Sequence, residues 1–203
     1  MVIKIHPENP GKKQINRIAE TLKQGGIIIY PTDTVYAFAC SVEHPKAADT
    51  IVQLKGKKKR KSDFSLIFKD ISQITEFTRP ISNDVFKILK NNLPGPFTFL
   101  LEANNRVPKI FKDKKKIIGA RIPDNRIPMA IVEAIEAPLM TSSIHDDDEI
   151  LEYTTDPELL EKRFGKQVDW VVDGGTGNNE ASTVVDCTGE EILIVREGKG
   201  ELV

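Results

Sequence analysis

The chain has 203 residues, 39% hydrophobic and 29% charged, with 29 Lys and Arg against 30 Asp and Glu, so it can bury a substantial core and any affinity for anions has to come from local clustering of charge. Cys40 and Cys187 form no close-spaced pair, which excludes a zinc knuckle or a Cys-X-X-Cys redox motif. The opening MVIKIHPENP lacks a basic region followed by an apolar one, and no stretch approaches ~18 apolar residues, so no membrane partner is predicted and the cytoplasm is the expected compartment.

Residues 2–5 read as a short strand, and Ile15, Ile18, Ala19 and Leu22 then recur at helical spacing until Gly25-Gly26 stops the run. The apolar run 26–30 reads as a buried strand broken by Pro31, with a hydroxyl-bearing loop at its end, the place where α/β proteins put ligands. Helical periodicity returns over Ala47, Ile51 and Leu54, and residues 64–68 resume strand character. Asp70 with Gln73, Ser82, and Thr155 with Glu158 fit helix N-caps, the last with Pro157 in the first turn. Strands are further predicted at 97–102, 117–121, 139–143, 170–173, 183–186 and 192–196. This alternation predicts an α/β fold with a mixed sheet flanked by helices. With no internal repeat and no Pro/Gly/Ser-rich boundary, residues 1–203 read as a single domain.

Tyr30-Pro31-Thr32-Asp33-Thr34-Val35-Tyr36 places two threonine hydroxyls, a carboxylate and a phenol directly after a buried strand. Such a loop can bind a polar ligand or merely satisfy its own backbone, and the spacing leaves both readings open. Lys55-Gly56-Lys57-Lys58-Lys59-Arg60-Lys61 sets six cations in seven residues, a repelling and therefore solvated run that a triphosphate or an RNA backbone would relieve. Residues 146–149 put four carboxylates beside His145, but consecutive residues rarely all point at one ion, so an acidic surface loop is the reading and no metal ligands are assigned.

YPTDTVY resembles the N-terminal signature of the YrdC/YciO family, and further blocks follow in the family's order: Leu54-Lys55-Gly56-Lys57 resembles its Lys-X-Arg motif, Pro94-Gly95-Pro96-Phe97-Thr98 its Pro-Gly-Pro-X-Thr element, and Arg121-Ile122-Pro123 its Arg-X-Pro element. Leu139-Met140-Thr141-Ser142-Ser143 is similar to the strand entering its Ser-Ala-Asn motif, Ser182-Thr183-Val184-Val185-Asp186 to its Ser-Thr-Val-(Val/Ile)-Asp, and Val195-Arg196-Glu197-Gly198 to its Arg-X-Gly. The match runs over about residues 27–200 and is nearest the YciO branch, notably at Lys90 to Gly95 and Val195 to Gly200. Departures stand at Lys57 for Arg, Phe68 where many synthases carry His, and Ser143-Ile144-His145 for Ser-Ala-Asn.

The resemblance implies a twisted mixed sheet with a basic concave groove. It implies a threonylcarbamoyl-AMP synthase-like nucleotidyltransferase acting in tRNA t6A modification, which joins L-threonine, bicarbonate and ATP, with Mg2+ on the triphosphate, and releases pyrophosphate. Catalysis would rest on positioning and charge neutralisation, so no catalytic residue is assigned. Lys55, Lys57, Arg60, Lys61 and Arg121 would meet phosphates; Thr32, Thr34, Tyr36, Ser143 and Ser182 would bind the amino acid or nucleotide; Arg196 would close the pocket. The run Lys55, Lys57, Lys58, Lys59, Arg60 and Lys61 would also meet tRNA or double-stranded RNA, and proteins of the tRNA-modification pathway are implied partners. The YciO-like departures imply an alternative, a nucleotide- and RNA-binding paralogue with weak or no synthase activity.

Overall fold

The computed structural model describes residues 1–56, 64–108, 116–144 and 154–203. Its strands are β1 (Val2–Lys4), β2 (Ile28–Tyr30), β3 (Ala37–Ser41), β4 (Ser65–Ile67), β5 (Phe97–Glu102), β6 (Ile117–Arg121), β7 (Leu139–Ser143), β8 (Trp170–Asp173), β9 (Thr183–Asp186) and β10 (Leu193–Arg196). Its helices are α1 (Lys12–Lys23), α2 (Pro45–Leu54), α3 (Ile71–Phe77), α4 (Asn83–Asn92), α5 (Arg126–Ile135) and α6 (Pro157–Phe164). All the strands join one ten-stranded sheet in the order β1-β8-β2-β3-β7-β4-β6-β5-β9-β10. The β1/β8, β8/β2, β4/β6 and β5/β9 pairs are parallel and the others antiparallel, which is the mixed sheet that alternating strands and helices predict.

Paired residues share a face and side chains alternate along each strand, so the registers sort the sheet into two faces. One face carries a run of small or polar residues, Tyr30, Ala37, Thr141, Ser143, Ser65, Gly119, Arg121 and Thr98, with Ile28, Leu139, Ile67 and Leu100 among them. The other carries Ile29, Phe38, Met140, Leu66, Ala120 and Phe99, a nearly continuous apolar layer. Phe164 of α6 meets this layer edge-on at Phe38, with ring centroids 5.0 Å apart. On the face that carries Arg121, α1 lies against the sheet at β8 and β3: Trp170 Nε1 donates to Thr21 Oγ1 at 2.9 Å, and α5 packs against α1.

Local signals account for most boundaries. Asp70 and Ser82 cap α3 and α4, accepting from Gln73 N and Val85 N at 2.7 and 3.3 Å. The expected cap Thr155 is corrected by one residue: Asp156 caps α6, its Oδ1 accepting from Glu158 N at 2.8 Å. Pro157 is the reason, because it fixes the first helical turn and holds the residue directly before it in the extended region that an N-cap needs. β3 has no sequence prediction behind it. Its Ala-Phe-Ala-Cys-Ser run is buried on both faces and so shows no alternation to read.

Candidate functional site

Pro31 ends β2, and the loop 31–36 that follows is ordered by a directed chain of hydrogen bonds. Arg121 can only donate, so Thr34 Oγ1 accepts from Arg121 Nη2 at 3.0 Å. The Thr34 hydroxyl then donates to Thr32 Oγ1 at 3.0 Å, and Thr32 donates to Val35 O at 2.8 Å while accepting Thr34 N–H at 3.0 Å. The same Nη2 donates to Asp33 Oδ1 at 3.0 Å, and Asp33 Oδ2 accepts the Asp124 N–H at 3.0 Å. Strands β3, β7 and β4 stand between β2 and β6, so Asp33 and Thr34 reach Arg121 only because their loop folds back over the polar face.

The ion pair is buried: the side chains of Arg121 and Asp33 are 4% and 6% exposed, and Arg121 Nε is buried with no hydrogen-bond partner. Taking two charges out of water costs several kcal/mol, roughly what their attraction returns, so such a pair marks a demand for position more than for stability. An orphaned guanidinium donor among hydroxyl side chains fits an arriving acceptor. Beside it Tyr30, fully buried, donates to Thr141 Oγ1 at 2.9 Å, and burial pushes its phenol up to about 12, so it stays a neutral donor. Gly119 lets Ser65 and Thr98 close in over the strand, because a Cβ there would lie 2.6 Å from Ser65 Oγ and 2.9 Å from Thr98 Cγ2.

The other sequence blocks converge on this face through the backbone. Gly95 N–H bonds Ile122 O at 2.9 Å, which ties the Pro-Gly-Pro turn to the segment after Arg121, and Thr183 N–H bonds Pro96 O at 3.0 Å. Ser182, 4% exposed, shares a hydrogen bond of 2.8 Å with Thr98, and Arg196 grips Ser182 O through Nε at 3.2 Å and Nη2 at 2.8 Å. Ile144 N–H bonds Tyr36 O at 2.8 Å, joining β7 to the loop.

Thr32, Thr34, Arg121, Ser182 and Arg196 therefore belong to one constellation, with Thr32 and Thr34 fixing the loop. Ser143 lies on the same face, paired with Ala37. Tyr36 faces elsewhere: its hydroxyl donates to Gly175 O at 2.7 Å and accepts Gly174 N–H at 3.3 Å, pinning the turn after β8. Lys55 donates to Ser142 Oγ at 2.6 Å, and Ser142 alternates with Thr141 and Ser143, so Lys55 meets β7 on the face opposite Arg121. Phe68 is fully buried, its ring tilted against Phe77 at 5.7 Å, and forms part of the core. Lys57, Lys58, Lys59, Arg60, Lys61 and the acidic stretch from His145 lie outside the described residues.

Three contributors had no assignment from sequence. Asp33 stands in the quoted loop, but its partner is 88 residues away; Thr98 stands in the Pro-Gly-Pro-X-Thr element; Lys199, whose Nζ donates to Asp33 O at 2.7 Å, is flanked by glycines, the one local sign that the chain there lies close to something. Among the described residues no group of three His, Cys, Asp or Glu gathers as a metal site, and no helix is long and apolar enough to cross a membrane.

Comparison with known proteins finds one family and a set of relatives. The model of the Sua5/YciO/YrdC family, described as Telomere recombination, matches residues 20–198. The chain is 39% identical over 199 residues to a protein of Haemophilus influenzae, covering 97% of this chain and 94% of the relative. It is 36% identical over 200 residues to YciO of Escherichia coli, covering 98% and 95%. The crystal structure of E. coli YciO superposes with a TM-score of 0.91 at 34% identity, over 99% of this chain and 97% of that one. A threonylcarbamoyl-AMP synthase of Coxiella burnetii is 29% identical over 184 residues, covering 89% and 96%. The fold is also that of Sua5 of P. abyssi, with a TM-score of 0.88 at 22% identity, over 98% of this chain and 57% of that one.

Proposed function

Because the chain belongs to the Sua5/YciO/YrdC family, we propose that it joins L-threonine, bicarbonate and ATP into threonylcarbamoyl-AMP on the polar face around Arg121, in the service of tRNA modification. The observation that carries this reading is the buried Arg121 itself, held by Asp33 and Thr34 and left with an unpartnered Nε among hydroxyl side chains. The likeness to the C. burnetii synthase over 89% of the chain supports the same reaction.

The chemistry asks little covalent work of the protein. The threonine amine takes up the carbon of bicarbonate with loss of water, giving a carbamate. A carbamate oxygen then attacks the α-phosphorus of ATP, the bond from that phosphorus to the bridging oxygen breaks, and pyrophosphate leaves. Mg2+ travels with the triphosphate and lowers the repulsion between phosphate oxygens and the arriving anion. What the residues of this chain supply is position: Arg121 offers directed donors, Thr98 and Ser182 line the same face, and the loop 31–36 excludes water from the pair beneath it.

A second reading, a nucleotide-binding paralogue without synthase activity, is favoured by Phe68, which puts a core ring where many synthases carry histidine. Pyrophosphate release from purified protein with ATP, Mg2+ and bicarbonate separates the two. Synthase activity gives release that requires L-threonine, whereas nucleotide binding with threonine-independent release, or with none, rejects the synthase and leaves the paralogue.

A further inference from the structure

The segment after β10 is anchored by bonds that no strand or helix requires. Thr183 Oγ1 accepts the N–H groups of Gly198 and Gly200, both at 3.1 Å, and donates to Gly200 O at 2.6 Å. Lys199 N–H bonds Ala181 O at 2.9 Å. At the chain's last residue, Asn92 Nδ2 donates to Val203 O at 3.0 Å and Asn92 Oδ1 accepts Val203 N–H at 2.9 Å. A Cβ on Gly198 would stand 2.3 Å from Ala181 O, and one on Gly200 2.6 Å from the Phe97 ring, so both neighbours of Lys199 have to be glycine for the strap to lie this low. The one long side chain between them turns back over the site, where its ammonium donates to Asp33 O at 2.7 Å.

Lys199 takes a backbone carbonyl of the residue whose carboxylate Arg121 holds. Each Asp33 carboxylate oxygen already accepts a hydrogen bond, Oδ1 from Arg121 and Oδ2 from the Asp124 N–H. Arg121 and Asp33 thus cancel each other's charge, and the cation left uncompensated beside them is Lys199, exposed, with one of its three donors used and no ion pair among the described residues. Arg121 supplies direction, Lys199 supplies net charge.

From this division we propose that Lys199 is a specificity-determining residue that engages the phosphate chain of a polyphosphate ligand, keeping its bond to Asp33 and offering its remaining donors to phosphate oxygens. The site then favours a triphosphate over a monophosphate. The inference rests on reading the Arg121 face as a nucleotide site.

Calorimetric titration of inorganic triphosphate, ATP and AMP into the native chain, Lys199→Met and Lys199→Arg tests it, with thermal melts as a control. Lys199→Met should weaken triphosphate and ATP about five- to tenfold, with a shallower salt dependence, and change AMP by less than about twofold. Lys199→Arg should stay within about threefold of native, because a point contact to a phosphate oxygen needs charge more than shape. Equal weakening of all three ligands would reduce Lys199 to a clasp on the loop, and unchanged triphosphate binding in Lys199→Met, or no binding of any phosphate by the native chain, would overturn the proposal outright. Lys199-dependent triphosphate binding without threonine-dependent pyrophosphate release upholds this inference and sinks the synthase reading, so the two fail separately.

Discussion

Removing the Arg121 guanidinium would leave the Asp33 carboxylate buried with the Asp124 N–H as its remaining partner, and would take from Thr34 the donor that sets its hydroxyl. An exposed salt bridge would contribute only ~0–1 kcal/mol, but this pair is 4% and 6% exposed, so Arg121→Ala should cost about 3–5 kcal/mol of stability. Arg121→Lys should fold nearer to native and still lose roughly tenfold to a hundredfold in ATP affinity, since an ammonium cannot reproduce the fork. Denaturant titrations of Arg121→Met, Asp33→Asn and the double variant read the coupling: the double should be less destabilised than the sum of the singles by about 1–3 kcal/mol. Strict additivity would mean that the two side chains do not act as a unit. Arg121 was legible from sequence because it ends a predicted strand and is followed by Ile122-Pro123, whereas the role of Asp33 was not, because a contact across 88 residues leaves no local trace.

At the level of elements, β6 is the strand on which the site depends, and Gly119 is its weakest point. The residue faces Ser65 on one side and Thr98 on the other, and both would lie within 3.0 Å of an added Cβ. Gly119→Val should therefore push β4 and β5 apart beside Arg121, lowering stability by about 1–3 kcal/mol and ligand affinity with it, measurable by thermal melt and by ATP titration. Native stability and affinity in that variant would show that the strand has room to spare. Elements with a period or a cap were readable: α1 from its spaced apolar residues, α3 and α4 from Asp70 and Ser82. β3 was not, because full burial on both faces erases alternation, and the cap of α6 was misplaced by one residue because Thr155 and Asp156 are both competent acceptors and only the backbone before Pro157 decides between them.

Among the described residues, ten strands form a single sheet in which chain neighbours are often not sheet neighbours, and this shuffling is what gathers the site. β7 sits between β3 and β4, and β9 beside β5, so segments from both halves of the chain meet on one polar face. The sequence blocks that resemble the family were all visible, but nothing in their spacing says that Ser182 would meet Thr98 or that Gly95 would meet Ile122, since strand order is a property of the assembled sheet. If this face joins three small molecules as proposed, the carbon of bicarbonate has to appear in the product: purified protein is incubated with ATP, Mg2+, L-threonine and 13C-labelled bicarbonate, and the products are read by mass spectrometry. The expected product is a threonylcarbamoyl adenylate carrying the heavy carbon, formed only when all three substrates are present and strongly reduced in folded Arg121→Lys. An adenylate without the label, or ATP consumed without any such product, would contradict the proposal.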